Sequence, residues 1–391
     1  MTNMRFNDES SALDAVESPA YVLNASLMRK NLELIDTVRR ASGAKILVAF
    51  KAFSLWSAFD IMRPLFSEAT VSSPNEVILA KKHLGGRSHA FSPAYTDKDF
   101  DIYLQNCSHI TFNSLSQYEH FRTRVLTADH KISMGIRINP MFSPVDTDLY
   151  NPCCPGSRLG VTADLLPRTL PDEIEGIHFH ALCESSADDL ENLISVVESR
   201  YENWLGQVKW VNMGGGHLMT KKGYDINKLV SLLQNFAKKW GLQVILEPGS
   251  AFAWQTGPLV ADIVDIVNNA NIKTAILNVS FAAHMPDCLE MPYQPAIRGA
   301  MTEESPEHSH CYRMGGNSCL SGDFVGSYWF NHELQIGERI ILEDMIHYTT
   351  VKTTMFNGLS HPDIILFDQQ AEEQLKVLRH FSYEDYESRM G

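Results

Sequence analysis

The sequence predicts a (β/α)₈ TIM-like barrel with a separate C-terminal β-sandwich or β-barrel domain that also takes the N-terminal strand. Between Ala44 and Thr256, roughly eight apolar strand-like runs alternate with helix-sized segments, which is the pattern of such a barrel. An open doubly wound sheet also alternates, but eight consecutive repeats favour closure. After Thr256 the pattern changes to β-like runs separated by Gly, Pro and Asn turns.

A chain of 391 residues is too long for one ordinary core, so two domains are expected. We assign residues 27–256 to the barrel and residues 1–26 with 257–391 to the β-rich domain. Residues 1–18 resemble a loose lead-in, a short strand follows near Tyr21, and Ser26 is expected to cap a helix ending near Ala41. The barrel strands are predicted at Lys45–Phe50, Glu68–Ser72, Ser88–Ser92, His109–Asn113, Ile132–Ile138, Gly176–Ala181, Val208–Met213 and Val244–Leu246.

Helical periodicity fills most of the intervals between the predicted barrel strands. The β-rich domain is predicted from runs in which β-branched and aromatic residues dominate. The predicted helices are Ser54–Phe66, Pro74–His83, Asp97–Gln105, Ser116–Leu126, Asp188–Trp204 and Asn227–Trp240, and the later β-runs are Leu259–Val267, Lys273–Ser280, His310–Arg313, Phe324–Phe330, Arg339–Leu342 and Tyr348–Phe356.

Composition and charge exclude several classes of protein. A formal net charge of −14 argues against nucleic acid as the main partner. No apolar run is long enough to span a membrane, and the polar N-terminus lacks a signal-peptide core. Seven cysteines without disulfide-domain spacing indicate free thiols in a reducing cytoplasm. His308-Ser309-His310-Cys311 has metal-ligand residue types, but no second cluster follows at zinc spacing, so we predict no metal site.

Residues that could react or bind a ligand lie at the ends of predicted barrel strands, where barrel active sites are found. Lys51 ends the first strand, His180 the sixth, Gly214-Gly215-Gly216 follow the seventh, and Glu247-Pro248-Gly249 follow the eighth. A lysine at a strand end commonly just reaches water, but its amine can also condense with a carbonyl compound.

Each of the other groups can likewise have either an ordinary structural role or a role in a binding site. Three glycines after a strand can bring backbone N–H groups close to an anion, and Gly249 can join that cradle, although an isolated triplet is usually a plain turn. Glu247 is either an exposed rim acid or the partner of a protonated ring nitrogen. His180 is either structural or stacked on a flat ring. Taken together, the four features describe a site for pyridoxal 5'-phosphate.

The chain resembles the fold-type III pyridoxal-phosphate enzymes, which include alanine racemase and the ornithine, arginine and diaminopimelate decarboxylases. Each motif alone is weak, but their order along nearly the whole chain is specific. The motifs are the strand ending at Lys51, Ile177-His178-Phe179-His180, Gly214–Gly216, Glu247-Pro248-Gly249, Gly316-Asn317-Ser318-Cys319 with Asp323, and Tyr348 before Phe356-Asn357-Gly358.

This resemblance implies roles for individual residues. Lys51 would carry the cofactor covalently, His180 would stack on its ring, and Glu247 would pair with the ring nitrogen. Cys319 would reach the site of a partner subunit and protonate the substrate carbon, which implies a homodimer. The cofactor-binding set implied is Lys51, His180, Gly214, Gly215, Gly216, Glu247, Gly249, Tyr348 and, less specifically, Arg137.

Departures from the family pattern point to the substrate. Diaminopimelate decarboxylases have Glu where this chain has Leu320, and the usual arginine after Glu-Pro-Gly is Ser250. A second family arginine is replaced in Met285–Tyr293, which contains two acids. Losing cationic groups and gaining carboxylates suits a substrate with a positive far end. The chain is thus similar to family members that decarboxylate carboxylated triamines, with Asp287, Glu290, Asp323 and Glu184 as candidate tail-binding acids.

Three alternatives remain open on the sequence. Diaminopimelate decarboxylase is opposed by the missing arginines and by Leu320. A pyridoxal-phosphate carrier without catalysis is opposed by the β-rich domain with Cys319 and Tyr348. A catalytically inactive regulator is opposed by the intact Lys51 and Cys319.

Overall fold

The computed structural model describes residues 5–145 and 147–391. The chain forms two compact units, one of residues 31–252 and one of residues 1–30 with 253–391. Within the described residues, no helix combines the length and apolar composition needed to cross a membrane.

The unit of residues 31–252 contains a parallel barrel. Nine strand segments follow one another around the sheet, and the first two, on either side of Leu47, are halves of one strand, which leaves eight strands in the described part. Lys45–Ile46 pairs with the last strand and Val48–Ala49 with the second, so the sheet closes on itself and the predicted barrel is confirmed. The segments are Lys45–Ile46, Val48–Ala49, Ala69–Val71, Ser88–Phe91, Cys107–Phe112, Ser133–Arg137, Ile174–His178, Trp210–Asn212 and Gln243–Leu246.

Close packing inside the barrel explains two of its glycines. A Cβ atom added to Gly135 or Gly176 would lie 2.4 or 2.0 Å from the indole ring of Trp210. The indole also donates a hydrogen bond to Ser133 Oγ at 2.9 Å. The strands therefore hold a large ring in the core because two neighbours have no side chain.

The outer helices begin at capping residues that the sequence supplies. Ser73, Ser114 and Ser186 each accept a backbone N–H of the first turn of their helix. The helix predicted at Ser54–Phe66 is shorter than expected, with a 3₁₀ turn at Trp56–Ala58 followed by Phe59–Met62. The helices are Ala25–Ser42, Phe59–Met62, Pro74–His83, Phe100–Asn106, Leu115–Leu126, Ala187–Leu205, Ile226–Trp240 and Ser250–Ala253, with a further 3₁₀ turn at Ala163–Leu165.

The second unit is built on a mixed sheet. The N-terminal strand Ala20–Asn24 pairs in parallel with Asp363–Phe367 and antiparallel with Leu259–Asn269, which confirms that it joins the β-rich domain. Its strands are Ala20–Asn24, Leu259–Asn269, Ile272–Leu277, Ala300–Met301, His310–Gly315, Phe324–Phe330, Arg339–Leu342, Asp363–Phe367 and Leu375–Arg379; its helices are Glu9–Asp14, Phe281–His284, Pro286–Glu290, Thr349–Lys352 and Tyr383–Met390, with a 3₁₀ turn at Phe356–Gly358.

The N-terminal segment is more ordered than the sequence suggested. Asp8 caps the helix Glu9–Asp14 through a hydrogen bond from Ser11 N, and Leu13 packs in an apolar cluster with Val22, Val260 and Phe367. The next helix begins at Ala25 rather than after Ser26. Its cap is Asn24, whose side-chain oxygen accepts the N–H groups of Ser26 and Leu27.

One predicted strand of the β-rich unit is wrong. Residues 348–356 form the short helix Thr349–Lys352 and a connection to a 3₁₀ turn. The β-branched run Thr349-Thr350-Val351 suggested a strand, but Thr350 Oγ1 instead donates to the carbonyl of Ile346, as it does in a helical turn.

Candidate active site

Lys51 and His180 meet at the barrel mouth. Lys51 Nζ lies 3.0 Å from His180 Nε2, and the N–H of Gly215 donates to His180 Nδ1 at 2.9 Å. Burial and the neighbouring Lys51 hold the pKa of His180 well below its ordinary value, so its ring is neutral near pH 7. Since Nδ1 accepts a hydrogen bond, the ring proton lies on Nε2 and points at the lysine amine.

The surroundings of Lys51 favour the unprotonated form of its amine. An Nε2–H donor needs a lone pair opposite it, which an ammonium group does not have. The pKa of Lys51 is lowered because surrounding protein displaces water from the amine and because Arg137 adds a second positive charge. Although part of the residue faces solvent, its amine is prepared as a nucleophile.

Glu247 is a buried carboxylate beside this pair, with 8% of its surface exposed. Its Oε1 accepts a hydrogen bond of 2.6 Å from the side-chain amide of Asn212, and its Oε2 lies 3.6 Å from His178 Nε2. Burial raises the pKa of Glu247, while hydrogen bonds from Asn212 and Thr70 and the charge of Lys51 oppose that rise. A carboxylate held in this way is suited to pair with a cationic ring N–H.

The glycine loop is tightly built. Gly214 and Gly216 have φ angles of +70° and +89°, and a Cβ on Gly216 would lie 2.3 Å from the carbonyl oxygen of Leu182. The N–H groups of Gly214 and Gly215 already donate to Asn212 and His180. A Cβ on Gly249 would lie 2.4 Å from Ala52 Cβ, so this glycine lets the last strand end pack beside the Lys51 loop.

Arg137 and Glu184 occupy different surroundings in the barrel unit. Arg137 is 4% exposed, donates to the carbonyl of His180 at 3.3 Å and lies over the ring of Phe91 at 4.6 Å. Burial lowers the pKa of Arg137 to about 10. Glu184 is exposed and has a φ angle of +47°. Arg137 therefore braces the His180 segment.

The second unit holds the Cys319 loop. Cys319 is exposed, and its N–H donates to Asn357 Oδ1 at 2.8 Å. Asp323 is 5% exposed; its two carboxylate oxygens accept the N–H groups of Ala282 at 2.9 Å and Ser318 at 3.1 Å. Asp323 therefore shapes the loop that carries Cys319, and its carboxylate is already satisfied.

Asp287 and Glu290 lie on the helix Pro286–Glu290. Asp287 is 7% exposed, and its Oδ2 accepts hydrogen bonds from Tyr293 and Thr349, both at 3.0 Å. Its Oδ1 is buried and has no hydrogen-bond partner among the described residues. Glu290 forms an ion pair with Lys352. Of these two acids, Asp287 has the oxygen available for a cation.

Tyr348 stands at the start of the helix Thr349–Lys352, with φ of +14°, and its ring meets that of His347 edge to face. The sequence did not predict roles for the side chains of Thr349, Tyr293 and Asn212. Asn212 had a usable signal, since it lies two residues before the glycine triplet. Thr349 and Tyr293 had no such signal in the sequence, because their contacts with Asp287 depend on tertiary structure.

The residues of the barrel mouth fit a pyridoxal-type cofactor. They provide a lysine amine whose pKa is lowered, a buried carboxylate, and a glycine loop that tolerates no Cβ at Gly216. This donor set matches an aldehyde, a ring nitrogen and an anionic group.

A barrel mouth of this kind defines a class of enzyme in which a lysine amine, a carboxylate and a glycine loop serve one organic cofactor. The chain belongs to the pyridoxal-dependent decarboxylase family. A family model described as "Pyridoxal-dependent decarboxylase, C-terminal sheet domain" matches residues 21–346. This confirms the predicted family and the predicted class of reaction.

Two curated relatives are each 43% identical to the chain. One is a carboxyaminopropylagmatine decarboxylase of Synechocystis sp., aligned over 98% of this chain and 98% of the relative. The other is a carboxynorspermidine/carboxyspermidine decarboxylase of Campylobacter jejuni, aligned over 96% and 99%. A crystal structure of carboxynorspermidine decarboxylase from Campylobacter jejuni, complexed with norspermidine, is 41% identical, with a TM-score of 0.87 over 96% of this chain and 100% of that one.

Proposed function

We propose that this protein binds pyridoxal 5'-phosphate and decarboxylates carboxynorspermidine and carboxyspermidine to norspermidine and spermidine, in polyamine biosynthesis. The observation that carries the cofactor half is the position of the Lys51 amine, 3.0 Å from His180 Nε2 and close to the buried Glu247. The substrate half is supported by relatives that act on carboxylated polyamines and by Asp287, whose buried Oδ1 lacks a partner among the described residues.

The barrel residues would hold the cofactor as follows. Lys51 Nζ would condense with the aldehyde and release water, Glu247 Oε2 would pair with the ring nitrogen, and Gly216 and Gly249 would make room for the phosphate. Tyr348, a residue of the second unit, would be a further phosphate ligand. Bound pyridoxal phosphate supplies the electron sink for the bond that breaks. His180 keeps Lys51 oriented and excludes water from one side of its amine.

The reaction breaks the bond between the α-carbon and its carboxylate, and carbon dioxide leaves. The α-carbon then needs one proton in place of the carboxylate. Cys319 Sγ or Lys51 Nζ supplies it, and solvent restores the donor. The exposed Cys319 thiol on a loop fixed by Asn357 and Asp323 is suited to such a donor role.

The cationic tail of the substrate would be held by carboxylates of the second unit. Asp287 offers a buried oxygen that has no hydrogen-bond partner in the described part of the chain, whereas Glu290 must first exchange Lys352 for the substrate. Charge-assisted hydrogen bonds of this kind are roughly twice as strong as neutral ones. Asp287 is therefore the main tail ligand in this proposal and Glu290 an auxiliary one.

We also propose a homodimer, which the surroundings of Cys319 support. Leu320, Phe324 and Phe356 are 45%, 39% and 45% exposed, and Asn357, next to Phe356, binds the Cys319 backbone. Apolar side chains clustered around a reactive thiol suit a surface covered by a second copy. The cysteines of the described chain are free thiols, which fits a cytoplasmic enzyme.

A second candidate substrate is carboxyaminopropylagmatine, because one relative at 43% identity is named for it. That substrate ends in a planar guanidinium group, whereas the carboxylated triamines end in a compact ammonium group. Asp287 offers a single open oxygen, since its other oxygen accepts hydrogen bonds from Tyr293 and Thr349. A single oxygen suits an ammonium better than a bidentate guanidinium.

The proposal is tested by reducing the holoenzyme with borohydride and locating the cofactor by peptide mass spectrometry, and then by following triamine formation. We expect the pyridoxyl group on Lys51, and product from carboxynorspermidine exceeding product from carboxyaminopropylagmatine at equal concentration. A tag on another lysine, or preference for the guanidinium substrate, would contradict the corresponding half of the proposal.

A further inference from the structure

Asn212 connects two parts of the barrel mouth, the buried carboxylate of Glu247 and the glycine loop. It is the last residue of the strand Trp210–Asn212 and is 3% exposed. Its Nδ2 donates to Glu247 Oε1 at 2.6 Å, and its Oδ1 accepts the Gly214 N–H at 2.9 Å. The carbonyl of Gly214 accepts the N–H of Glu247 at 2.8 Å. One amide thus connects the buried carboxylate to the glycine loop.

The direction of this amide is fixed by its surroundings. The Gly214 N–H requires an acceptor, so the oxygen of Asn212 faces Gly214 and its NH₂ group must face Glu247. Oε1 of Glu247 is therefore engaged as an acceptor. The carboxylate keeps Oε2 as its second oxygen, 3.6 Å from the ring of His178.

We propose that Asn212 is a positioning residue that orients Glu247 so that Oε2, and not Oε1, is presented to the ring nitrogen of the cofactor. The same side chain sets the distance between that carboxylate and the glycine loop, and hence between the partners of the ring nitrogen and of the phosphate. This inference rests on the cofactor half of the proposed function.

The charges around Glu247 give the arrangement a pH dependence. Burial raises the pKa of Glu247, and the Asn212 donor is the first of the groups that oppose this rise. Burial also keeps the pKa of His178 well below its ordinary value, so that ring is neutral and does not replace the donor. The titratable or charged groups that face Glu247 are Lys51, Arg137, His178 and Tyr95.

The test is the affinity of apoprotein for pyridoxal 5'-phosphate, measured by fluorescence titration between pH 6 and 9. Asn212→Asp keeps an acceptor for Gly214 but removes the donor to Glu247. We expect the dissociation constant to rise about 10- to 100-fold at neutral pH, the range for one hydrogen bond to a charged group. Recovery should begin only at higher pH, because two adjoining carboxyl groups retain a shared proton.

Two further variants separate positioning from folding. Asn212→Ala removes the side-chain donor without adding an acid, so we expect the same weakening with a smaller pH displacement. Asn212→Asp combined with Glu247→Gln restores a donor and an acceptor between the two side chains. We expect it to recover the melting temperature of the wild type but not its cofactor affinity.

The outcomes are distinct. Unchanged affinity and pH profile in Asn212→Asp and Asn212→Ala, next to normal uptake by the wild type, would overturn the positioning role alone. A lower melting temperature with an unchanged profile would also overturn it, since it would make Asn212 merely structural. A wild-type apoprotein that takes up no pyridoxal 5'-phosphate would overturn the proposed function and this inference with it.

Discussion

The barrel mouth and the acidic cluster of the second unit are held in place in different ways. In the barrel, Lys51, His180 and Glu247 follow parallel strands, and the backbone of Gly214 and Gly215 takes part in fixing them. In the second unit, Asp287 and Glu290 lie on a helix of five residues whose acids are tied to Thr349 and Lys352 by side chains alone.

This difference separates two tasks. Groups anchored by strand ends and backbone amides keep one geometry, which a cofactor common to a family needs. Groups held by side-chain pairs on short helices can be exchanged by few substitutions. The two 43% identical relatives named for different substrates fit that division. We therefore expect barrel variants to alter cofactor binding and acidic-cluster variants to alter substrate selection.

The largest effect is expected from Lys51→Ala. Removing the amine should abolish covalent retention of the cofactor and lower kcat by at least about 10³-fold, within the range for a positioned proton-transfer group. Absorbance of the bound cofactor measures its retention, and initial rates measure kcat. Lys81→Ala, an exposed lysine of the same unit, is the matched control. Substantial turnover by Lys51→Ala would remove the barrel mouth from the chemistry.

Asp287→Asn should raise KM for a carboxylated triamine by about 10- to 100-fold, because a hydrogen bond to a charged group contributes about 1.5–3 kcal/mol. The affinity for pyridoxal 5'-phosphate should stay at the wild-type value. Parallel titrations with substrate and cofactor compare the two. A matching loss of cofactor affinity would erase the distinction between the two clusters.

Glu290→Gln should have a smaller effect in the same direction. Lys352 already neutralises this acid, so we expect KM to rise by about fivefold or less, the range for a partly exposed ion pair. Cofactor affinity should change far less than substrate affinity. Equal loss of both would assign Glu290 a structural role.

Asp323→Asn should mainly lower stability. Its carboxylate accepts the backbone N–H groups of Ala282 and Ser318, and weakening two such bonds should reduce the free energy of unfolding by about 1–3 kcal/mol. Urea denaturation compares it with Glu303→Gln, an exposed acid of the same unit. A large change in KM at unchanged stability would instead make Asp323 a substrate ligand.

The smallest effect concerns pH and lies away from the mouth. His89 and His109 stack with ring centroids 3.8 Å apart, and burial lowers the pKa of His109 to about 4. The unfolded chain, with a histidine pKa of about 6.5, binds more protons between these values. Stability should therefore fall as the pH drops from about 6.5 toward 4.

Melting temperatures between pH 4 and 7 measure that slope. His109→Gln should flatten it, whereas His120→Gln, at an exposed histidine, should not. An unchanged slope in His109→Gln would mean that other groups control the acid sensitivity.

The barrel could be predicted because each strand and helix carries its own periodic signal. The convergence of Lys51, His180 and Glu247 could be predicted because parallel strands of a barrel end at the same mouth, whereas their roles were inferred from the family resemblance. Asn212 was not found, since its role depends on which way its amide points, and neighbouring strands decide that.

The second unit was harder to predict because its contacts are mostly non-local. Thr349-Thr350-Val351 favours a strand by composition, yet it forms a helical turn. The strand Asp363–Phe367 was missed although it is apolar, and its partner Ala20–Asn24 lies more than 300 residues earlier in the chain. Pairings at such separation leave no local mark in the sequence.

We conclude that this protein decarboxylates a substrate with a cationic tail, and we propose that the barrel residues serve the cofactor and the acidic cluster of the second unit serves that tail. The most direct measurement is carbon dioxide release by the purified holoenzyme with carboxynorspermidine, carboxyspermidine, meso-diaminopimelate and ornithine offered separately. We expect release from the two carboxylated triamines and little from the other two. Efficient release from diaminopimelate would contradict two inferences. One is that Asp287 binds a cationic tail, and the other is that the missing family arginines indicate such a tail.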